Sequence, residues 1–241
     1  MSHDTRASTT PTHTYPLSLS PDLVIPGQQP LPVVIDWDYW QKRRQLVLRV
    51  NPDIPQYLVL PEIHAVLQHA LNQELHFLLN LLWHTGARIS EALAITREDL
   101  VLETVRDSLV ILANAKRKAG RPSKRKGHDP KRIVPITDAR FIDEARRYLA
   151  TTQPKQSDKI FTLNRQQVHY QLQKIEGEVT LPVASLSAHT FRHSFAVNLL
   201  LQGRGIRVVQ SLLGHADLAS TEVYLKVLSG ETHHLLYGMQ F

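Results

Sequence analysis

From Tyr57 onward the apolar residues of this 241-residue chain recur at helical spacing, and one pair of short β-branched runs interrupts the rhythm. Pro61 stands at a first helical position ahead of Ile63, Val66, Leu67 and Ala70, and Phe77, Leu78, Leu81 and Leu82 share one face of a helix over 73–84. Gly86 punctuates that helix, and 90–94 reads as the start of another. Further helices are predicted over 138–150 with Thr137 as N-cap, 164–176 with Asn164 as N-cap, 189–202 closed by Gly203, 205–213 and 220–228. The exceptions, 109–113 and 132–136, are too short for helices and predict the two strands of a hairpin. The expected fold is mainly α with a small antiparallel β-sheet, an α+β arrangement.

The first 56 residues follow other rules. Residues 1–32 are rich in Thr and Ser and carry Pro11, Pro16, Pro21, Pro26, Pro30 and Pro32, with no period of either kind, so they predict a disordered tail. Residues 33–56 read as a linker holding one amphipathic helix over 36–50. Trp37, Trp40 and Leu48 lie on one of its faces and Lys42, Arg43 and Arg44 elsewhere, before Pro52 and Pro55 break it. Residues 57–241 form the domain proper.

Charge is focused in one place. The net charge is +6, from 28 Lys and Arg against 22 Asp and Glu. Lys116, Arg117, Lys118, Arg121, Lys124, Arg125, Lys126, Lys131 and Arg132 face a single acid, Asp129, so this stretch carries +8 and the rest of the chain −2. Such a patch on the hairpin tip fits a polyanion such as nucleic acid, and charge alone equally allows a solvated loop or a membrane-surface patch. Lys118, Arg121, Lys124, Arg125, Lys126, Lys131 and Arg132 are the expected DNA-binding residues. Cysteine is absent, which excludes disulfides and thiolate metal sites. No apolar run has membrane-spanning length and the first 20 residues lack a secretory layout, so the expected compartment is the cytoplasm, with no membrane partner.

Six side chains in the segments HTGARISEAL (84–93), HTFRH (189–193), LLGH (212–215) and STEVYLKV (220–227), together with the hairpin, suit phosphate chemistry: Arg88, Lys116, His189, Arg192, His215 and Tyr224. Attack on a phosphodiester gathers negative charge on its oxygens, and a guanidinium offers that charge a planar fork that stays protonated. Arg192 follows His189 by one helical turn, so both can enter one site. Tyr224 is the candidate nucleophile; its phenol ionises near pH 10 and needs cationic or basic neighbours, for which His215 and the arginines are available. A departing sugar alkoxide needs an acid, and Lys116 or Lys118 on the hairpin offers one. His189 and His193 also stand four apart, like half a zinc site. Position 190 is threonine where a metalloprotease helix has glutamate, and no third ligand is evident, so no metal is expected.

These segments resemble a known family. TGARISEALAIT is similar to the first signature of the tyrosine recombinases, the phage-integrase family that includes Xer-type resolvases, and HTFRHSFAVNLLLQG with VVQSLLGHADLASTEVYLKV is similar to the second. The order Arg, Lys, His-x-x-Arg, His, Tyr agrees, as do gaps of three residues from His189 to Arg192, 23 to His215 and nine to Tyr224. The resemblance covers about 57–230. It implies a 3′-phosphotyrosyl link at Tyr224 and a phosphate clamp of Arg88 and Arg192. Lys116 would protonate the 5′-oxygen, His189 would act in proton transfer, and His215 would hydrogen-bond the phosphate. It further implies no cofactor, strand exchange through a Holliday junction, and a homotetramer whose C-terminal tails (225–241) pack on neighbouring subunits, with accessory DNA-binding proteins in some systems. The hairpin tip is longer and more basic than the family's usual one. The first 56 residues are too short and proline-rich for the helical domain that commonly precedes the catalytic one, which suggests a near-minimal recombinase whose DNA affinity falls steeply with salt. The expected task is resolution, inversion or integration for a plasmid or mobile element. A DNA-binding accessory protein that does not cut, or a topoisomerase IB-like or telomere-resolving relative, are the competing readings.

Overall fold

The computed structural model describes residues 35–104, 106–113 and 131–228. The proline-rich tail, the hairpin tip with Lys116, Lys118, Arg121, Lys124, Arg125 and Lys126, and the residues after Leu228 lie outside that set. The described chain is mainly α with one small antiparallel sheet. Its helices are α1 (Trp37–Val50), α2 (Leu60–His69), α3 (Gln73–Thr85), α4 (Ile89–Ala92), α5 (Ala139–Thr152), α6 (Arg165–Glu178), α7 (Ala188–Leu201), α8 (Ile206–Leu213) and α9 (Ala219–Glu222). Strands β1 (Leu100–Val101), β2 (Leu109–Ala113) and β3 (Lys131–Pro135) pair in the order β1-β2-β3. Two 3₁₀ segments, Arg97–Asp99 and Val223–Leu228, complete the list of elements. None of the described helices is long and apolar enough to cross a membrane.

Helix α3 organises the core. Asn72 starts it by accepting the Leu75 N–H at 2.9 Å, and Gly86 ends it in the left-handed region at φ 58°. No other residue fits there: a Cβ on Gly86 would stand 2.4 Å from the Phe195 ring. Between these ends Phe77, Leu78, Leu81 and Leu82 are fully buried, as their spacing predicts, against α5 and α7. Burying each contributes about 1.5–3 kcal/mol before entropy is counted. Phe77 collects Phe141, Tyr148 and Phe161 around its ring at centroid distances of 5.8, 4.6 and 5.6 Å. A second cluster joins α1, α7, α8 and the closing 3₁₀ segment through Val47, Val197, Leu200, Val209, Leu213 and Val227.

Several local expectations shift. The helix expected from 90 is one turn long, and the one expected over 220–228 divides into α9 and a 3₁₀ segment. Helix α5 is capped by Asp138, not Thr137, the carboxylate accepting the Phe141 N–H at 2.9 Å. Strand β1 is an addition, since two residues carry no period to read. In α1, Trp37, Trp40 and Leu48 pack inward as expected, but Arg44 is buried too. Its fork meets both Glu62 oxygens at 2.6 and 2.7 Å and the Tyr57 carbonyl at 3.2 Å, fastening α1 to α2. A guanidinium paired on both prongs tolerates burial that a lone one does not.

Sheet register then aims the hairpin. Ala113 pairs with Lys131 and Leu109 with Pro135, so period-two alternation turns Val110, Leu112, Arg132 and Val134 inward.

Candidate active site

The site begins where α3 ends. After Gly86 turns the chain, Arg88 occupies the N-cap of α4, and Glu91 accepts its backbone N–H at 2.9 Å with one oxygen and its Nη1 at 2.6 Å with the other. Glu91 is fully buried and also accepts Nη2 of Arg132 at 2.7 Å. Burial pushes its carboxyl up, but the hydrogen bonds from Arg132 and Arg88 outweigh this and hold it below its ordinary value. One carboxylate thus anchors two guanidiniums, and Arg88, the more exposed of the two, turns its side chain toward the surface.

Arg192 comes from α7 and caps two helix C-termini at once. Its Nη1 donates to the Gly86 carbonyl at 2.6 Å and its Nη2 to the Leu213 carbonyl at 2.7 Å. The last carbonyls of a helix lack partners and carry partial negative charge, so a buried cation is favoured there. Arg132 adds to the second terminus, donating Nε to Leu212 O at 2.9 Å. Burial, and next Arg88, push Arg192 down to about 10, still well above neutral pH. Three guanidiniums against Glu91 leave the site an excess of positive charge, which suits an anion that becomes more anionic during reaction.

His189 lies one turn before Arg192 and is exposed at the mouth; partial burial, Arg192, Arg165 and Arg88 lower its basicity. His215 follows Gly214, the left-handed residue that ends α8, and its Nδ1 sits 2.8 Å from the Thr221 hydroxyl. Tyr224 belongs to the 3₁₀ segment packed on α7 and is 2% exposed. Burial pushes its phenol up to about 12, while Arg192 and Arg88 pull in the opposite direction. The hydroxyl lies 2.7 Å from Nδ1 of His193, within hydrogen-bond distance. Burial, then His189 and Arg192, bring His193 down to about 4, so its ring is neutral and able to accept.

Five of the six sequence-selected residues therefore surround one region of a single chain: Arg88, His189, Arg192, His215 and Tyr224. Lys116, the sixth, lies outside the described residues, as does Lys118. Of the expected DNA-binding residues, Lys131 is exposed, 3.5 Å from Asp99 Oδ1. Arg132 is only 8% exposed and points into the site; counting it with the surface charge overlooked strand alternation, in which it is in phase with Val134. Sequence reasoning also passed over Glu91, legible as an (i, i+3) partner of Arg88, and Arg165, which reaches His189 electrostatically from the start of α6. Spacing alone marks His193 only as half of a metal pair with His189. No group of three or more metal-ligating side chains occurs among the described residues, and its Nδ1 faces Tyr224.

Known proteins share both the fold and these segments. The phage integrase family model matches residues 58–231, and the chain belongs to this family of tyrosine-type site-specific recombinases. A resolvase of Escherichia coli is 33% identical over 223 residues, 83% of this chain and 84% of that protein. Tyrosine recombinase XerD of Rhizobium meliloti is 30% identical over 171 residues, 67% of this chain and 50% of its own. The crystal structure of the XerH site-specific recombinase bound to its difH substrate, a pre-cleavage complex, superposes with a TM-score of 0.58 over 75% of this chain and 55% of that one. At 22% identity, that likeness is one of fold.

Proposed function

We propose that this recombinase cuts and rejoins double-stranded DNA at a specific site through a 3′-phosphotyrosyl intermediate on Tyr224. Arg88 and Arg192 hold the scissile phosphate, Lys116 or its neighbour Lys118 protonates the departing 5′-oxygen, and His189 and His215 complete the donors around the phosphate. Lys131 and the hairpin-tip residues Lys118, Arg121, Lys124, Arg125 and Lys126 contact the DNA backbone. No cofactor enters, because the protein–DNA ester conserves the energy of the broken bond. Exchange proceeds through a Holliday junction within a homotetramer linked by C-terminal tails, and serves resolution, inversion or integration for a plasmid or mobile element.

One observation carries the reading: the buried hydroxyl of Tyr224 lies in the field of both Arg192 and Arg88 of its own chain. A tyrosine kept only for packing needs no such cations. That XerH crystallises with a DNA substrate supports DNA as the substrate here. The test uses a duplex nicked beside the cleavage point, so that the short 5′ fragment diffuses away and traps the intermediate. Selected from fragmented DNA, a cleaved site should become covalently attached to the protein through Tyr224. Binding with no covalent product at any site would reduce the chain to a DNA-binding module.

A further inference from the structure

We propose that His193 is the base that receives the phenolic proton of Tyr224 as the tyrosine attacks phosphorus. The inference rests on the strand-cutting reading and deepens it by assigning that proton to one atom. The Tyr224 hydroxyl is 2.7 Å from His193 Nδ1, a distance for direct transfer, and among the described residues this is its one hydrogen-bond partner. Neither histidine that the motifs bring forward has that contact. His189 is one turn earlier on α7, its ring centroid 6.2 Å from that of His193, and His215 turns Nδ1 to Thr221.

The tautomer this transfer requires has the ring proton on Nε2, so that Nδ1 accepts from the hydroxyl. The groups facing this pair are His189 and Arg192 from α7 and Arg88 from the start of α4. With the imidazole near 4 and the phenol near 12, the resting tyrosine keeps its proton, so transfer accompanies attack and does not precede it. A bound phosphate offsets the charge of Arg192, one of the groups that depress His193, and so raises its basicity at the moment of need.

The step balances. The Tyr224 oxygen bonds to phosphorus as its O–H bond breaks, and the proton goes to His193 Nδ1. The bond from phosphorus to the 5′-oxygen breaks, and that oxygen takes a proton from the hairpin lysine. Rejoining runs backward: the 5′-hydroxyl attacks, returns its proton to the lysine, and the imidazolium of His193 reprotonates the tyrosine as it leaves.

His193→Asn keeps a hydrogen-bond acceptor near the hydroxyl but cannot carry the proton. In single-turnover cleavage of the nicked substrate, the variant should bind DNA as the wild type does and form adduct about 100-fold more slowly. Its rate should then climb about tenfold per pH unit between roughly pH 6 and 9 as the phenolate fraction grows, while the wild type stays flat. A rate within about threefold of wild type, or a uniform loss with the flat profile intact, overturns the proposal. If wild type itself forms no adduct, the strand-cutting reading has failed and takes the proposal with it. Should the variant lose its cooperative melt, intact His193 still carries the test through 3-fluorotyrosine at position 224. The acid limb of the cleavage profile then stays at the same pH, because it reports the imidazole. A limb that moves down with the more acidic phenol shows that tyrosine ionises unaided, and the idea falls.

Discussion

Tyr148 and Tyr224 are 4% and 2% exposed, and burial pushes each phenol up to about 12. Their surroundings differ in kind. Tyr148 stands among Phe77 and Phe161 and donates its hydroxyl to the Ile160 carbonyl at 2.9 Å, an acceptor that cannot take a proton. Tyr224 stands among Arg192, Arg88 and His193, and its hydroxyl meets an imidazole nitrogen, which can. Depth therefore does not distinguish the proposed nucleophile from a core tyrosine. The acceptor and the neighbouring charge do: burial opposes the phenolate in both places, Glu74 adds to that at Tyr148, and only at Tyr224 do cations act against it.

The contrast can be broken by substitution. Tyr224→Phe should abolish the covalent adduct and retain DNA binding, whereas Tyr148→Phe should leave the adduct rate within about twofold. Adduct persisting without the 224 hydroxyl would transfer the nucleophile's role elsewhere. Phe77→Ala, in the aromatic region, should lower stability by about 3–5 kcal/mol in chemical denaturation and spare cleavage at temperatures where the protein remains folded. A specific loss of cleavage there would mean that the two regions are coupled. Arg88→Ala should do the reverse, reducing the single-turnover rate by about 10²–10³, roughly 3–4 kcal/mol in the barrier, with little change in melting.

The smallest effect concerns pH. His76 and Glu144 meet at 2.7 Å on the side of α3 facing α5. The hydrogen bond that His76 donates to the Glu144 carboxylate raises His76; Glu144 is pushed up by burial, yet His76 and Asn80 bring it below its ordinary value. The histidine's contribution is complete below its unfolded value near 6.5 and fades as pH rises through its folded value. That of the glutamate is present above about 4.5 and is lost as pH falls. Melting of wild type against Glu144→Gln should differ most between those limits, by under about 1 kcal/mol because the pair is partly exposed. A difference that grows above neutral pH would reverse the assigned sign.

Much of this architecture was legible because it is local. The α3 face of Phe77, Leu78, Leu81 and Leu82, the cap at Asn164 and the stop at Gly86 follow from periodicity, short polar side chains and the need for a left-handed residue. The strand pair expected over 109–113 and 132–136 forms with its second strand one residue earlier, but its inward arginine is hidden in the sequence by charged neighbours. Arg88, Arg192 and Tyr224 could be picked out because phosphate chemistry restricts residue types at short, ordered spacings.

By itself the sequence determined the long helices, the main strand pair and which side chains are fit for attack on phosphorus, since these depend on residue types a few positions apart. Only the tertiary structure decided that Glu91 joins Arg88 to Arg132 across 41 positions, that Arg192 closes the ends of α3 and α8, and that His193, not His189 or His215, meets the hydroxyl of Tyr224 from 31 positions away. Hydrogen bonds act over about 3 Å, and chain order does not encode which distant atoms packing brings that close.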